Sequence, residues 1–343
     1  MPRTAARCGT LLVCLAAATL AAEPRRAVDV RALLRDIAHF TDEDWANVER
    51  GVAVAKVLET DTREIAVAGA VRVKAQRDRL VARVRDIDHL KRSDVVLDVG
   101  RFDNAPDAGD LARASFEPYN LDLRDCRPGE CRVRLSADDI ARFQQNVDWR
   151  AADWQNRSAR TWREVLAAHA AAYDHDGQPA LPVYVNRVEP LSVASELSVL
   201  AGKFTFVSRF SGEFDRYLRQ FGPAPPAGSL ETIYWSKEDF GVRRVFRISH
   251  QVIFPVPDAV LVATNQVYAD HYLDAALGLT IAVDASDGAG EAFYMIAVNR
   301  ARTRSLNGFL RRLLRGTVQG RSRDAMRKIL AATRSGLESD LPH

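Results

Sequence analysis

The sequence predicts an α+β protein in which a curved antiparallel sheet packs on a long C-terminal helix. Three observations carry this. Residues 244–254, 259–268, 272–283 and 292–299 are strand-like runs rich in β-branched and aromatic residues. The breaks between them, at Pro255-Val256-Pro257-Asp258 and residues 284–290, hold no crossover helix, so the runs pair as antiparallel neighbours. Finally, Phe309, Leu310, Leu313, Leu314, Met326, Ile329, Leu330 and Leu337 recur at helical spacing over residues 306–337. A break in that helix is expected at Gly316 and Gly320, because glycine weakens a helix interior.

The chain before this unit reads as its cover. Leu33, Leu34, Ile37 and Phe40 mark one short helix, and Thr41 with Asp44 forms a capping-box pattern for a second through Trp45 and Val48. Residues 52–58 and 63–73 read as a hairpin, residues 75–87 as a helix with Leu80, Val81, Val84 and Ile87 on one face, and residues 93–102 as a strand. Ser136 caps a helix beginning at Ala137. Residues 159–173 place Trp162, Val165, Leu166, His169 and Tyr173 on one side of another, with His169 as a satisfied core imidazole. A strand at 181–188 and helices at 192–200 and 212–220 follow. The expected organisation is a single domain, residues 23–343, with a helical, disulfide-pinned insertion at about 104–228.

Residues 1–22 have the layout of a cleaved secretory signal: Arg3 and Arg7, an apolar run from Leu11 to Leu20, then Ala21 and Ala22. The expected location is periplasmic or secreted. Removing this segment takes two arginines and no acid, lowering the formal charge from +3 to +1. The charge that remains is uneven, since residues 300–334 hold eleven Arg or Lys and only Asp324. That asymmetry points to an anionic partner such as a membrane surface. In an exported protein nucleic acid is not expected. Two cysteines survive, in Cys126-Arg-Pro-Gly-Glu-Cys131. Pro128-Gly129 suits a type II turn that brings the flanking chains within reach of a disulfide, and no further zinc ligands or redox spacing accompany them.

No Gly-x-Ser-x-Gly elbow, Gly-rich phosphate loop, His-Glu-x-x-His or calcium loop occurs, so no catalytic residue, metal or cofactor is assigned. Strand periodicity instead gives a candidate binding rim. His250 shares a face with Phe246, Ile248, Val252 and Phe254, and Gln266 and Tyr268 share one with Val260, Val262 and Thr264. In a meander, Tyr268, His271, Tyr272, Asn299, Arg300 and Arg302 come to one edge, joined by Arg243 and Arg244. They would form a cationic, hydrogen-bonding rim over an apolar cavity, with Arg300 and Arg302 as a paired clamp for a carboxylate or phosphate. Asp270 and His271, as neighbours on a strand, are expected to diverge.

The succession of strand, helix, antiparallel strands and closing helix over residues 52–102 and 233–337 resembles the START-like and polyketide-cyclase-like superfamily. That resemblance implies a cavity between sheet and last helix for a hydrophobic or amphipathic small molecule. Tyr268-Ala-Asp-His271-Tyr272 followed by Asn299-Arg300-Ala-Arg302 also resembles a group of exported bacterial proteins for which no activity is carried over. The expected function is binding of a lipid-like ligand with an anionic or polar head. The alternatives are a structural or partner role at the envelope and an enzyme of unrecognised class.

Overall fold

The computed structural model describes residues 28–90, 95–116, 123–239, 243–285, 292–304 and 309–339. The secretory-type segment lies outside these residues, as do the side chains of Phe309, Leu310, Leu313 and Leu314. Two short helices, α1 (Val30–Ala38) and α2 (Asp42–Glu49), open the chain, the second on the expected capping box of Thr41 and Asp44. The hairpin β1 (Val54–Val57) and β2 (Glu64–Val73) follows, then α3 (Arg77–Arg85), α4 (Ile87–Leu90) and β3 (Val96–Arg101). The insertion contributes α5 (Ala137–Asn146), α6 (Trp154–Asp176), a ribbon of β4 (Val183–Tyr184) and β5 (Leu191–Ser192), α7 (Val193–Ala201) and α8 (Gly212–Gln220). The chain ends with β6 (Leu230–Asp239), β7 (Arg244–Val256), β8 (Ala259–Ala269), β9 (Ala275–Asp284), β10 (Phe293–Arg302) and α9 (Phe309–Ser339).

Eight strands form one sheet in the order β1-β2-β10-β9-β8-β7-β6-β3, and every neighbouring pair is antiparallel. The four runs from 244 to 302 form the expected meander. Two differences from the sequence reading concern strands. β6 is an interior strand that hydropathy does not reveal, because Glu231, Thr232, Ser236, Lys237 and Glu238 interrupt its apolar residues. Conversely, of residues 181–188 only Val183 and Tyr184 pair as strand; Pro182 has no N–H to give, and Arg187 bridges instead to Glu130 in the disulfide loop.

Both faces of the sheet are covered. One face sends Ala66, Ala68, Ala70, Trp235, Phe246, Ile248, Leu261, Leu279 and Ile296 into a core shared with α1, α2 and the insertion helices. The other sends Val67, Val71, Val73, Ile253, Val260, Val262, Phe293 and Met295 against α3 and α9, where they meet Leu80, Val84, Met326, Leu330 and Leu337. These are called here the insertion face and the grip face. Full burial of each of the three α9 side chains contributes about 1.5–3 kcal/mol. Close contact depends on Gly69 of β2, where a Cβ would come within 2.7 Å of Leu330 Cδ1 and 2.9 Å of the Val54 carbonyl.

α9 runs along β2 from end to end. Near its start Arg315 donates to the carbonyls of Asp61 and Glu64 and to Thr60 Oγ1, and near its end Glu338 accepts from Lys74 N at 2.9 Å. Arg334 donates to the Gly51 carbonyl, and Arg79 of α3 to that of Leu337. These ties keep the helix continuous through Gly316 and Gly320, where a break was expected, since the tertiary contacts outweigh the propensity cost of about 1 kcal/mol per glycine. Cys126 and Cys131 are disulfide-bonded, with Cα atoms 4.5 Å apart across a turn whose Gly129 has φ 85°.

A Cβ at Gly316 or Gly320 meets nothing within 4 Å. Gly316→Ala and Gly320→Ala are therefore expected to raise the unfolding free energy by about 0.5–1 kcal/mol each, read as a higher urea midpoint. A lower midpoint would show that α9 needs a glycine there.

Candidate functional site

The strand ends converge on one edge as the meander requires. Arg243 Nη1 lies 3.1 Å from His271 Nε2, and Asp274 N donates to Arg302 O at 2.8 Å. The faces, however, differ from the periodic expectation. Ile248 pairs with Tyr268 while Ser249 pairs with Gln266, so Val267 is an extra residue and this bulge turns Tyr268 onto the insertion face. Strand alternation puts Asn299 on the grip face and Arg300 and Arg302 on the other. His250, Tyr268, Arg300 and Arg302 thus lie across the sheet from α9 and line no space beneath it.

Nor is the edge a cationic rim. Arg300 Nη1 contacts Glu64 Oε1, and its guanidinium lies over the Phe204 ring at 5.8 Å. Arg302 binds Glu196 of α7 through Nε and Asp61 through Nη1 at 2.9 Å. Arg63 reaches Glu196 at 2.6 Å, and Arg134 reaches Asp274 at 2.6 Å and the carbonyls of Tyr272 and Leu273. Four guanidinium groups interleave with four carboxylates, so the cluster is neutral. Burial would raise the Asp61 carboxyl, but hydrogen bonds from Arg302 and from Arg63 N hold it below its ordinary value. Burial likewise works against the Arg302 cation, and Glu196 and Asp61 reverse that and raise its pKa. Charges removed from water must be paired, and these arginines are paired by their own fold. Glu64, Glu196, Asp61, Asp274 and Arg134 were missed by sequence reasoning because no fixed spacing links partners that lie over a hundred residues apart.

The remaining rim residues are anchored individually. Tyr268 is fully buried, donates to the Arg134 carbonyl at 2.8 Å and stacks on His169, whose Nε2 lies 2.9 Å from Asp139 Oδ2. His169 is thus the satisfied core imidazole the helical pattern suggested. His271 stands beyond the end of β8, so its Nδ1 approaches Asp270 Oδ1 to 3.1 Å rather than diverging from it. Burial raises the Asp270 carboxyl above its ordinary value, against the opposing effect of His271. Tyr272 adopts φ 58° in the same turn.

His250 has both ring nitrogens engaged: Nδ1 lies 3.0 Å from Tyr173 Oη, and Nε2 lies 3.0 Å from Glu231 Oε2. The carboxylate accepts, so Nε2 carries the proton, Tyr173 donates to Nδ1, and Asn265 Nδ2 donates to Tyr173 Oη at 3.1 Å. Every member finds a partner. The chain ties α6 to β6, β7 and β8, and burial raises the Tyr173 phenol above its ordinary value.

The grip face holds the less expected feature. Its apolar rows lie level with the C-terminal half of α9, where Met326 and Leu330 approach Gly69. Towards the Arg315 end the same face turns polar. One row across the sheet runs Gln251, Thr264, Gly278, Asn299, with Asn299 Oδ1 poised above Gly278. The next runs Tyr234, Ser249, Gln266, and beyond it stand Ser236, Arg247 and Glu238. Gln266 is 0% exposed, Ser236 1%, Ser249 2% and Gln251 3%. Gln251 Nε2 donates to the Val84 carbonyl of α3 and Gln266 Nε2 to that of Leu273, whereas Gln266 Oε1 and Arg247 Nε have no hydrogen-bond partner.

Elsewhere, a groove of about 310 Å³ between α5 and α6 is lined by Asn146, Asp153, Arg157, Arg160, Thr161 and Glu164, with Arg157 already paired to Asp153. Among the described residues no group of three or more His, Cys, Asp or Glu gathers as a metal site, and no helix is long and apolar enough to cross a membrane. Compared with protein-family models, curated proteins and solved structures, the chain matches none.

Arg302→Ala removes the cation shared by Glu196, which keeps Arg63, and the half-exposed Asp61, and is expected to cost about 1–2 kcal/mol in urea unfolding; a loss below about 0.5 kcal/mol would show that water replaces the guanidinium. Burial raises the Asp139 carboxyl, and His169 and Ser136 more than compensate, leaving its pKa lowered. Its contribution is therefore present above the ordinary carboxylate pKa of about 3.9 and lost as pH falls through the lowered value. The stability advantage of the wild type over Asp139→Asn should be full at pH 7 and shrink below about pH 4; an unchanged gap at pH 2 would refute this assignment.

Proposed function

We propose that this protein binds a lipid-like amphipathic molecule between the grip face of the sheet and the helices that cover it, and that it works as an exported protein. The observation that supports this reading most is the polar half of the grip face. A sheet face packed on helices ordinarily buries apolar side chains, and buried polar groups ordinarily find partners. Here the amides of Gln251 and Gln266 and the hydroxyls of Ser236 and Ser249 are buried beside an apolar half, with Thr264 half-buried and Asn299 exposed at its margin, and two polar atoms of this half have no partner. Apolar walls with a few convergent polar groups are what small-molecule sites are made of. The disulfide is in keeping with an oxidising compartment.

A second reading has its own observation. Arg321, Arg323, Arg327 and Lys328 stand exposed on α9 around a lone Asp324, beside an Ile329 that is 59% exposed. Such a face suits an anionic membrane surface from which a ligand is collected.

Protein isolated from the exported fraction, extracted with organic solvent and analysed by mass spectrometry, is expected to release an apolar compound near one equivalent. Protein that releases nothing, and whose melting temperature no lipid raises, would leave the polar half of the grip face as packing alone. Sedimentation with vesicles containing anionic lipid tests the second reading, which fails if Arg323→Glu with Lys328→Glu sediments like the wild type.

A further inference from the structure

The head group that the grip face accepts follows from its unmet hydrogen bonds. Gln266 on β8 lies opposite Ser249 of β7, two positions along from Arg247, and all three side chains share the grip face. Gln266 Nε2 is occupied by the Leu273 carbonyl, so the atom left over is an acceptor, Oε1, at a residue that is fully buried. The atom left over on Arg247 is a donor, Nε, because its Nη1 is held by Glu238 Oε2 at 3.2 Å. An unmet acceptor and an unmet donor on neighbouring strands of one face are complemented by a group that both gives and takes a hydrogen bond.

Charge narrows the class further. Glu238 answers the Arg247 cation, and Ser236, Ser249, Gln251, Thr264 and Asn299 are neutral. A carboxylate or phosphate placed there would meet an Arg247 cation already answered by Glu238, would present its oxygens to Gln266 Oε1, and would lose its hydration beside buried side chains. An ester presents acceptors to Arg247 and nothing to Gln266. Hydroxyl and primary amide groups satisfy both.

We infer that the buried Gln266 together with the half-buried Arg247 selects a neutral head group bearing a hydroxyl or amide, in place of the anionic head that the arginine-rich edge suggested. This assignment rests on the proposed ligand binding at the grip face.

The test uses the full mature chain and an environment-sensitive apolar dye, displaced by 1-monooleoylglycerol, by methyl oleate or by oleate. These share an oleoyl chain and differ in the head: hydroxyls, an ester alone, or an anion. The monoacylglycerol is expected to bind about tenfold more tightly than the methyl ester, the scale of one or two neutral hydrogen bonds realised in a buried site. Gln266→Met, close in volume and unable to accept from the ligand, is expected to erase that preference while leaving the methyl ester within about twofold of the wild type. Oleate bound most tightly by the wild-type chain overturns the head-group assignment and leaves the binding reading standing, as does equal affinity for monoacylglycerol and ester. These comparisons need no variant to fold. Displacement by none of the three overturns the binding reading and the assignment with it. Loss of all affinities together in a folded Gln266→Met protein shows a packing role for Gln266 and overturns the assignment.

Discussion

The pairing of β2 with β10 is the constraint on which the rest depends. It joins residues about 220 positions apart, Val71 opposite Met295 and Val67 opposite Asn299, and so brings the first hairpin against the last strand. α3 leaves from the far end of β2 and α9 follows β10, so both come to lie on the same face. The insertion between β3 and β6 is left with the other. A one-residue slip would turn the small set Ala66, Ala68 and Ala70 towards α9 and the set Val67, Gly69 and Val71 away from it. Gly69 shows how narrow the tolerance is, because only a residue without a Cβ lets Leu330 and the Val54 carbonyl approach as they do.

Part of the cationic excess of the C-terminal region is used to hold this arrangement together. Arg300 and Arg302 fasten β10 to β2 and to α7, Arg315 holds the start of α9 to the hairpin, and Arg334 ties its second half to the Gly51 carbonyl. Each guanidinium has several donors in a fixed fork, which suits it to link carboxylates and carbonyls from segments distant in the chain. Net positive charge counted along a sequence therefore measures ligand-binding capacity poorly. The same count is neutralised where acids from other segments arrive, and among the described residues it stays exposed at Arg321, Arg323, Arg327 and Lys328 of α9.

Two polar systems lie on opposite faces of one sheet, and they differ in completeness. On the insertion face, Glu231, His250, Tyr173 and Asn265 form a chain in which the donors and acceptors match in one direction. Such a closed chain positions α6 and has nothing to offer a ligand. On the grip face, Ser236, Ser249, Gln251 and Gln266 are buried, and Gln266 and the half-buried Arg247 leave an acceptor and a donor unmet. Unmet polar atoms also occur in the arginine edge, at Arg63 Nε, Glu64 Oε2, Asp274 Oδ2 and Arg300 Nε, so it is the combination of such atoms with neutral amides and hydroxyls that sets the grip face apart from a structural tie.

Much of the architecture was legible in the chain because it is local or periodic. The capping box of Thr41, the N-cap of Ser136, the Pro128-Gly129 turn between the cysteines, the meander from Arg244 to Arg302 and the closing helix all declare themselves through spacing and backbone preference. So did the convergence of Tyr268, His271, Tyr272 and Arg302 on one edge, which follows from strand order alone. The sequence could not show which face each residue takes or whom it meets. One bulged residue, Val267, reverses Tyr268, and β6 hides its role because polar side chains stand on both its faces, Ser236 and Glu238 on the grip face and Glu231 and Lys237 on the other. Glu64 and Glu196 silence the arginine edge from far along the chain. Period-two alternation determines relative orientation within an unbroken strand, while a bulge, a long-range ion pair and an unpaired buried amide are properties of the assembled sheet, and only the tertiary structure decided them.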